Sequence, residues 1–158
     1  MRYYFIAGEA SGDMHASNLI KELVIQDNSA CFRGFGGDRM EAEGLNLIKH
    51  YREMSFMGFW EVNKNLKKIK FNLDLVKNEL VHYKPDVLIL IDYPGFNMRI
   101  APFAKKMGIK VVYYITPQVW AWRKSRLKQL KNNTDLLAIC DNVIPHEKRF
   151  GDGFLTRY

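Results

Sequence analysis

Val87-Leu88-Ile89-Leu90-Ile91-Asp92-Tyr93-Pro94-Gly95-Phe96-Asn97 is the stretch that decides the fold. Five aliphatic residues stand in a row without polar alternation, followed by an acid and a Pro-Gly turn. A strand with one wet face alternates apolar and polar residues, whereas a strand covered on both faces reads as a continuous apolar run. Residues 87–91 therefore predict a central, buried strand of a parallel sheet. Outward from it, runs rich in β-branched and aromatic residues predict strands at Tyr3–Ala7, Cys31–Phe35, Leu45–Ile48, Val111–Ile115 and Leu136–Cys140. Helical periodicity fits Met14–Ile25, Phe59–Val81, Met98–Met107 and Trp120–Lys131 between them. Repeated βα units with right-handed crossovers predict an α/β, Rossmann-like doubly wound parallel sheet.

The chain has 158 residues, enough for about one domain, and 47% of them are hydrophobic, as in globular proteins. Its longest aliphatic run is residues 87–91, far short of the roughly 20 residues that a membrane-spanning helix needs. The start turns acidic at Glu9 with no extended apolar segment or small-residue cleavage site, which predicts a cytoplasmic protein. Two cysteines, Cys31 and Cys140, lie apart with no CxxC pair and no clustered histidines, so neither a disulfide framework nor a metal site is expected. Both thiols are expected to be reduced and buried. Twenty-four Lys and Arg against 17 Asp and Glu give a net charge of +7. That charge suits nucleic acid, phosphorylated small molecules or anionic lipid.

Open α/β sheets bind ligands at the carboxyl ends of their strands, so the loops there carry the functional weight. The first is Gly8-Glu9-Ala10-Ser11-Gly12-Asp13. It is neither GxGxxG nor a phosphate loop, and two carboxylates at the helix start would repel a pyrophosphate. They could instead accept sugar hydroxyls or steady a general base; alternatively, Ser11 or Asp13 simply caps the helix. The second loop places Asp92 at the end of the most buried strand, where desolvation can raise its pKa toward that of a useful base. The competing reading is an Asx-type turn or a cap for a helix starting near Asn97. The third, Thr116-Pro117-Gln118-Val119-Trp120-Ala121-Trp122-Arg123, offers rings that stack on sugars, an amide at Gln118 and a guanidinium at Arg123 that can grip phosphate.

One helix has a surface worth reading. Val62, Leu66, Ile69, Leu73, Val76 and Leu80 form a single apolar stripe, with Lys64, Lys67, Lys68, Lys70 and Lys77 off it. Phe59, Trp60, Phe71 and Leu75 are not absorbed by that stripe. Bulky apolar groups beside lysines suit an interfacial helix, so residues 56–77, with Phe59, Trp60, Lys67, Lys68 and Phe71 foremost, are expected to touch the cytoplasmic leaflet.

Six collinear segments now point to one family: GEASGD at 8–13, GGDRM at 36–40 with Ala42-Glu43-Gly44, Met57-Gly58 with Glu61-Val62, Lys84-Pro85-Asp86-Val87, IDYPGFN at 91–97 and TPQVWAWR at 116–123. Over residues 1–132 the chain resembles bacterial lipid-A-disaccharide synthase. The resemblance implies the N-terminal, acceptor-side half of a GT-B glycosyltransferase. It implies inverting transfer of 2,3-diacylglucosamine from UDP-2,3-diacylglucosamine to the 6-hydroxyl of 2,3-diacylglucosamine 1-phosphate. The products are the β-1,6 lipid A disaccharide and UDP, with no metal and no cofactor. By the same resemblance Asp92 is the base, Glu9 supports it, and Ser11, Asp13, Asn97, Gln118 and Arg123 bind substrate. The expected setting is peripheral, on the cytoplasmic side of the inner membrane.

Thr116 stands where the family motif has Ser, and Gly95 where some members carry an acid. Residues 133–158, including Cys140-Asp141-Asn142-Val143-Ile144-Pro145-His146-Glu147, resemble a different GT-B family. The expected organisation is thus a Rossmann-like domain over 1–140, an atypical tail over 141–158 and no nucleotide-sugar-binding second domain, giving a truncated form of weak or no activity. The alternatives are a non-enzymatic Rossmann-like domain that binds nucleotide or acylated sugar phosphate, a nicotinamide-dependent oxidoreductase, and a nucleic-acid-binding module. The missing GxGxxG argues against the oxidoreductase. Lysines beside an apolar helix face, where a phosphate-tracking groove wants polar neighbours, argue against nucleic acid.

Overall fold

The computed structural model of the chain describes residues 1–54, 62–114, 130, 132–139 and 155–157. Seven parallel strands form one sheet: β1 (Arg2–Ala7), β2 (Cys31–Gly36), β3 (Leu45–His50), β4 (Val87–Ile91), β5 (Lys110–Tyr114), β6 (Leu136–Ile139) and β7 (Leu155–Arg157). Their spatial order is β3-β2-β1-β4-β5-β6-β7. The chain builds outward from β1 to β3, returns, and builds outward on the other side from β4. The reversal falls between β1 and β4, paired from Tyr3↔Val87 to Ala7↔Ile91. At such a switch point the flanking loops part and open a crevice.

The doubly wound sheet matches the sequence reading, and residues 87–91 are its most enclosed strand, buried at every position. Successive side chains of β1 and β4 divide between two cores, as a pleated strand requires. Tyr4, Ile6, Leu88 and Leu90 face one way, with Val76 and Leu80 of α4 (Val62–Tyr83) and Ile100 and Ala104 of α5 (Pro94–Lys106). Tyr3, Phe5, Ile89 and Ile91 face the other, with Ala16 and Ile20 of α1 (Ala10–Gln26) and Met40 of α2 (Asp38–Ala42). Between β1 and β2 the approach leaves no room for a side chain at Gly34: a Cβ there would lie 2.1 Å from the Phe5 carbonyl oxygen.

The structure corrects several expectations. Short helices α2 and α3 (Tyr51–Met54) and the seventh strand were not read from the sequence. Residues 155–157 of the presumed tail pair in parallel with β6. Helix α1 begins at Ala10, so neither Ser11 nor Asp13 is its cap; Glu9 takes that place with extended backbone and no side-chain cap bond. Helix α5 begins at Pro94, which puts Asn97 inside it. Cys31 is exposed because it opens β2 at the sheet's amino edge. On α4 the stripe is buried at Val76 and Leu80, but Leu66 is 54% exposed and belongs with exposed Phe71. Phe59, Trp60, Gln118, Arg123, Cys140, His146, Glu147 and nearly all of the expected helix 120–131 lie outside the described residues.

Candidate active site

The two loops at the β1–β4 switch point bring Glu9 and Asp92 together. Asp92 follows β4 directly and is half-buried; Glu9 lies two residues beyond the end of β1 and is exposed. Their carboxyl groups lie within hydrogen-bonding reach of each other across the crevice. Ser11 Oγ donates to Glu9 Oε1 at 2.6 Å, holding that carboxylate from its own loop. Burial pushes the Asp92 carboxyl above the usual aspartate range, and the Glu9 charge and the bond to Glu9 push the same way; the Tyr93 backbone N–H acts in the opposite direction. A carboxylate of raised basicity beside a second carboxylate can take a proton from a hydroxyl.

The backbone that carries Asp92 is unusual. Asp92 and Tyr93 have φ of 42° and 44°, the left-handed region, and neither is glycine. Pro94 does not account for this, because a residue before proline is driven toward extended backbone with negative φ. The Asp92 carbonyl accepts from Tyr113 Oη at 2.5 Å and from Asn97 Nδ2 at 2.7 Å. Left-handed backbone costs a non-glycine residue about 1–2 kcal/mol, and a net hydrogen bond contributes about 1 kcal/mol. The two bonds onto this one carbonyl are therefore comparable with the strain of one residue. The Tyr93 ring stacks on Phe96 and lies over Gly8, where a Cβ would meet its Cγ at 2.3 Å. Gly8 is the only residue type that lets the β1 and β4 loops close to this distance.

Two residues expected to bind substrate are committed elsewhere. Asp13 is buried, and its carboxylate accepts the backbone N–H groups of Gly37 at 2.8 Å, Met40 at 3.1 Å and Arg39 at 3.2 Å. It caps α2 from a neighbouring element, since the α2 cap, Gly37, has no side chain to do so. Asn97 is fully buried and bonds Ile91 and Asp92 carbonyls through Nδ2, so it faces the strand end rather than the crevice. Ser11 is exposed, as its expected role requires. Tyr93, Tyr113 and Gly8 were missed as contributors. Their only sequence signals are a tyrosine in an apolar strand run and a glycine at a strand end, neither of which points to Asp92 unaided.

A separate open depression of about 670 Å³ lies at the other edge of the sheet, between Met1, Lys84, Asp86, Met107 and Lys110. It opens at the amino ends of the strands, away from both carboxyl groups.

The profile of the lipid-A-disaccharide synthetase family matches residues 3–156. The chain belongs to the lipid-A-disaccharide synthase family. The match runs well past residue 132, where the resemblance was expected to end, and corrects the expectation that residues 133–158 follow a different GT-B family. The enzyme of Geobacter metallireducens is 44% identical over 149 residues, and lipid-A-disaccharide synthase 1 of Legionella pneumophila is 39% identical over 148. These stretches take in 94% and 93% of this chain but only 38% of either relative, so the chain spans well under half the length of the curated relatives it matches. Among solved structures, UDP-GlcNAc 2-epimerase from Neisseria meningitidis bound to UDP-GlcNAc aligns at a TM-score of 0.60 with 12% identity. The alignment covers 88% of this chain and 40% of that one. A ugt transferase from Siraitia grosvenorii in complex with UDP aligns at 0.55 with 13% identity, covering 83% and 31%. At such identities the likeness is one of fold, and it agrees with the Rossmann-like, GT-B-like sheet of this synthase-family chain.

Proposed function

We propose that this chain supplies the acid/base side of an inverting glycosyl transfer in lipid A biosynthesis. The donor is UDP-2,3-diacylglucosamine and the acceptor 2,3-diacylglucosamine 1-phosphate. The Asp92 carboxylate takes the proton from the acceptor 6-hydroxyl as that oxygen attacks the anomeric carbon. UDP leaves with the bond's electron pair, and the β-1,6 disaccharide forms. The half-buried Asp92 carboxyl facing Glu9 at the switch point carries this reading, with family membership supplying the substrates. Glu9, held by Ser11, keeps Asp92 basic until the hydroxyl arrives. Gln118 and Arg123 remain proposed contacts to sugar hydroxyls and acceptor phosphate, and the transfer needs no cofactor.

Acylated substrates lie in a bilayer, and the exposed side of α4 suits that setting. Leu66 and Phe71 are more than half exposed, beside exposed Lys67, Lys68 and Lys70. Among the described residues no helix is long and apolar enough to cross a membrane. Surface binding to the cytoplasmic leaflet of the inner membrane, extended by Phe59 and Trp60, is the proposed mode.

A titration of 2,3-diacylglucosamine 1-phosphate into the isotopically labelled chain tests the acceptor assignment. Backbone signals of Glu9, Ser11 and Asp92 should move on binding. Shifts confined to Lys84, Asp86 and Lys110, at the amino edge, would assign the acceptor to the wrong end of the sheet and end the proposal.

A further inference from the structure

Asp92 and Tyr93 form a pair of adjacent left-handed residues, and among the described residues Lys84 is the only other non-glycine with positive φ. Such backbone persists only where its surroundings over-determine it, and it gathers where a side chain must be aimed. Here the determinants come from separate elements. Tyr113 of β5, paired beside Leu90 of β4, sends its hydroxyl to the Asp92 carbonyl. Asn97, one turn into α5, sends both amide hydrogens back to the strand end, to Ile91 and Asp92. The Tyr93 ring is seated against Gly8 of the β1 loop. Tyr113 and Asn97 are each fully buried, so neither can meet a sugar directly.

We infer that Tyr113 and Asn97 are positioning residues that lock the Asp92–Tyr93 backbone left-handed and thereby aim the Asp92 carboxyl at Glu9. An Asp92 in ordinary extended or right-handed backbone would carry its side chain along a different Cα–Cβ direction, away from Glu9. The assignment rests on the reading of Asp92 as the base, since aiming matters because that carboxyl reacts. The titratable groups facing Asp92 are Glu9 across the crevice, Tyr93 beside it and Tyr113 beneath it. Neither tyrosine carries charge near neutral pH, because burial raises both phenols. Glu9 is thus the partner that a change of aim would remove.

The test is a carboxyl-carbon NMR titration of the full chain from about pH 3 to about pH 9, spanning the ordinary carboxyl range. In the wild type, Asp92 should titrate above ordinary aspartate. In Tyr113→Phe, which keeps the ring and removes only the donor, the Asp92 midpoint should fall toward the ordinary range. Asn97→Ala should act in the same direction and decides the matter if Tyr113→Phe does not fold. A folded variant in which Asp92 still titrates as in the wild type overturns the assignment, as does a wild-type Asp92 that titrates in the ordinary aspartate range. Disaccharide formation is not involved in this readout. An Asp92→Asn enzyme that keeps its activity while Tyr113→Phe shifts the titration would retire the base and leave the positioning intact.

Discussion

A carboxyl whose burial and charged neighbour both favour its neutral form works against folding whenever it ionises. Folded Asp92 binds its proton more tightly than the unfolded residue does. Its contribution to stability is therefore present below the ordinary aspartate range and is lost as pH rises through the raised folded value. Asp92→Asn removes that loss, and asparagine accepts left-handed backbone at least as well as aspartate. The variant should unfold at higher urea concentration than the wild type at neutral pH, with the difference closing near about pH 3. A difference that grows on acidification contradicts the assigned environment. The buried Asp13 carboxylate satisfies three backbone amides. Asp13→Ala strands those donors and should cost about 2–4 kcal/mol in chemical denaturation. The place of Asp92 at a strand end was legible in the sequence, since an acid after an apolar run marks a carboxyl edge. The role of Asp13 was not: its partners are amides 24 to 27 residues away, and nothing local distinguishes such a cap from a ligand.

Helices were legible where one face repeats over several turns. The α4 stripe was visible from its alternating steps of four and three, and Val76 and Leu80 are fully buried on it. Leu80→Ala, at the centre of that contact, should lower stability by about 2–5 kcal/mol; a loss below about 1 kcal/mol, no more than a single methyl deletion, would mean that α4 is not seated on the sheet as described. Periodicity did not show where the sheet stops covering the helix, so Leu66 fell within the stripe although it is 54% exposed. Its exposure adds to that of Phe71 and sharpens a surface test. Leu66→Ser with Phe71→Ser should weaken binding to vesicles containing anionic lipid while leaving the thermal midpoint nearly unchanged, because neither side chain is in a core. Equal binding by variant and wild type would remove α4 from the membrane account. Helices of four and five residues, such as α3 and α2, have no period to read and were missed for that reason.

At the scale of the molecule, the doubly wound sheet follows from a chain that alternates unbroken apolar runs with helical stretches, and the strand order turns that pattern into a crevice. Residues 9 and 92 are far apart in sequence and become neighbours because β1 pairs with β4. That pairing is set by the reversal in strand order, which composition and periodicity do not encode; the motifs of the resembled family carried the link instead. The +7 charge acquires a partial location in the exposed lysines of α4.

The measurement that bears most directly on the account is the rate of β-1,6 disaccharide formation from the two acylated glucosamine substrates. It should be made with this chain joined to the remaining part of the Geobacter metallireducens relative, as wild type and as Asp92→Asn. Loss of a general base predicts a fall of about 10²–10⁴-fold in kcat for the variant, with its folded spectrum retained. An Asp92→Asn protein that turns over within about threefold of the wild type, well inside the range expected for a lost base, contradicts the assignment of Asp92 as the group that takes the acceptor proton.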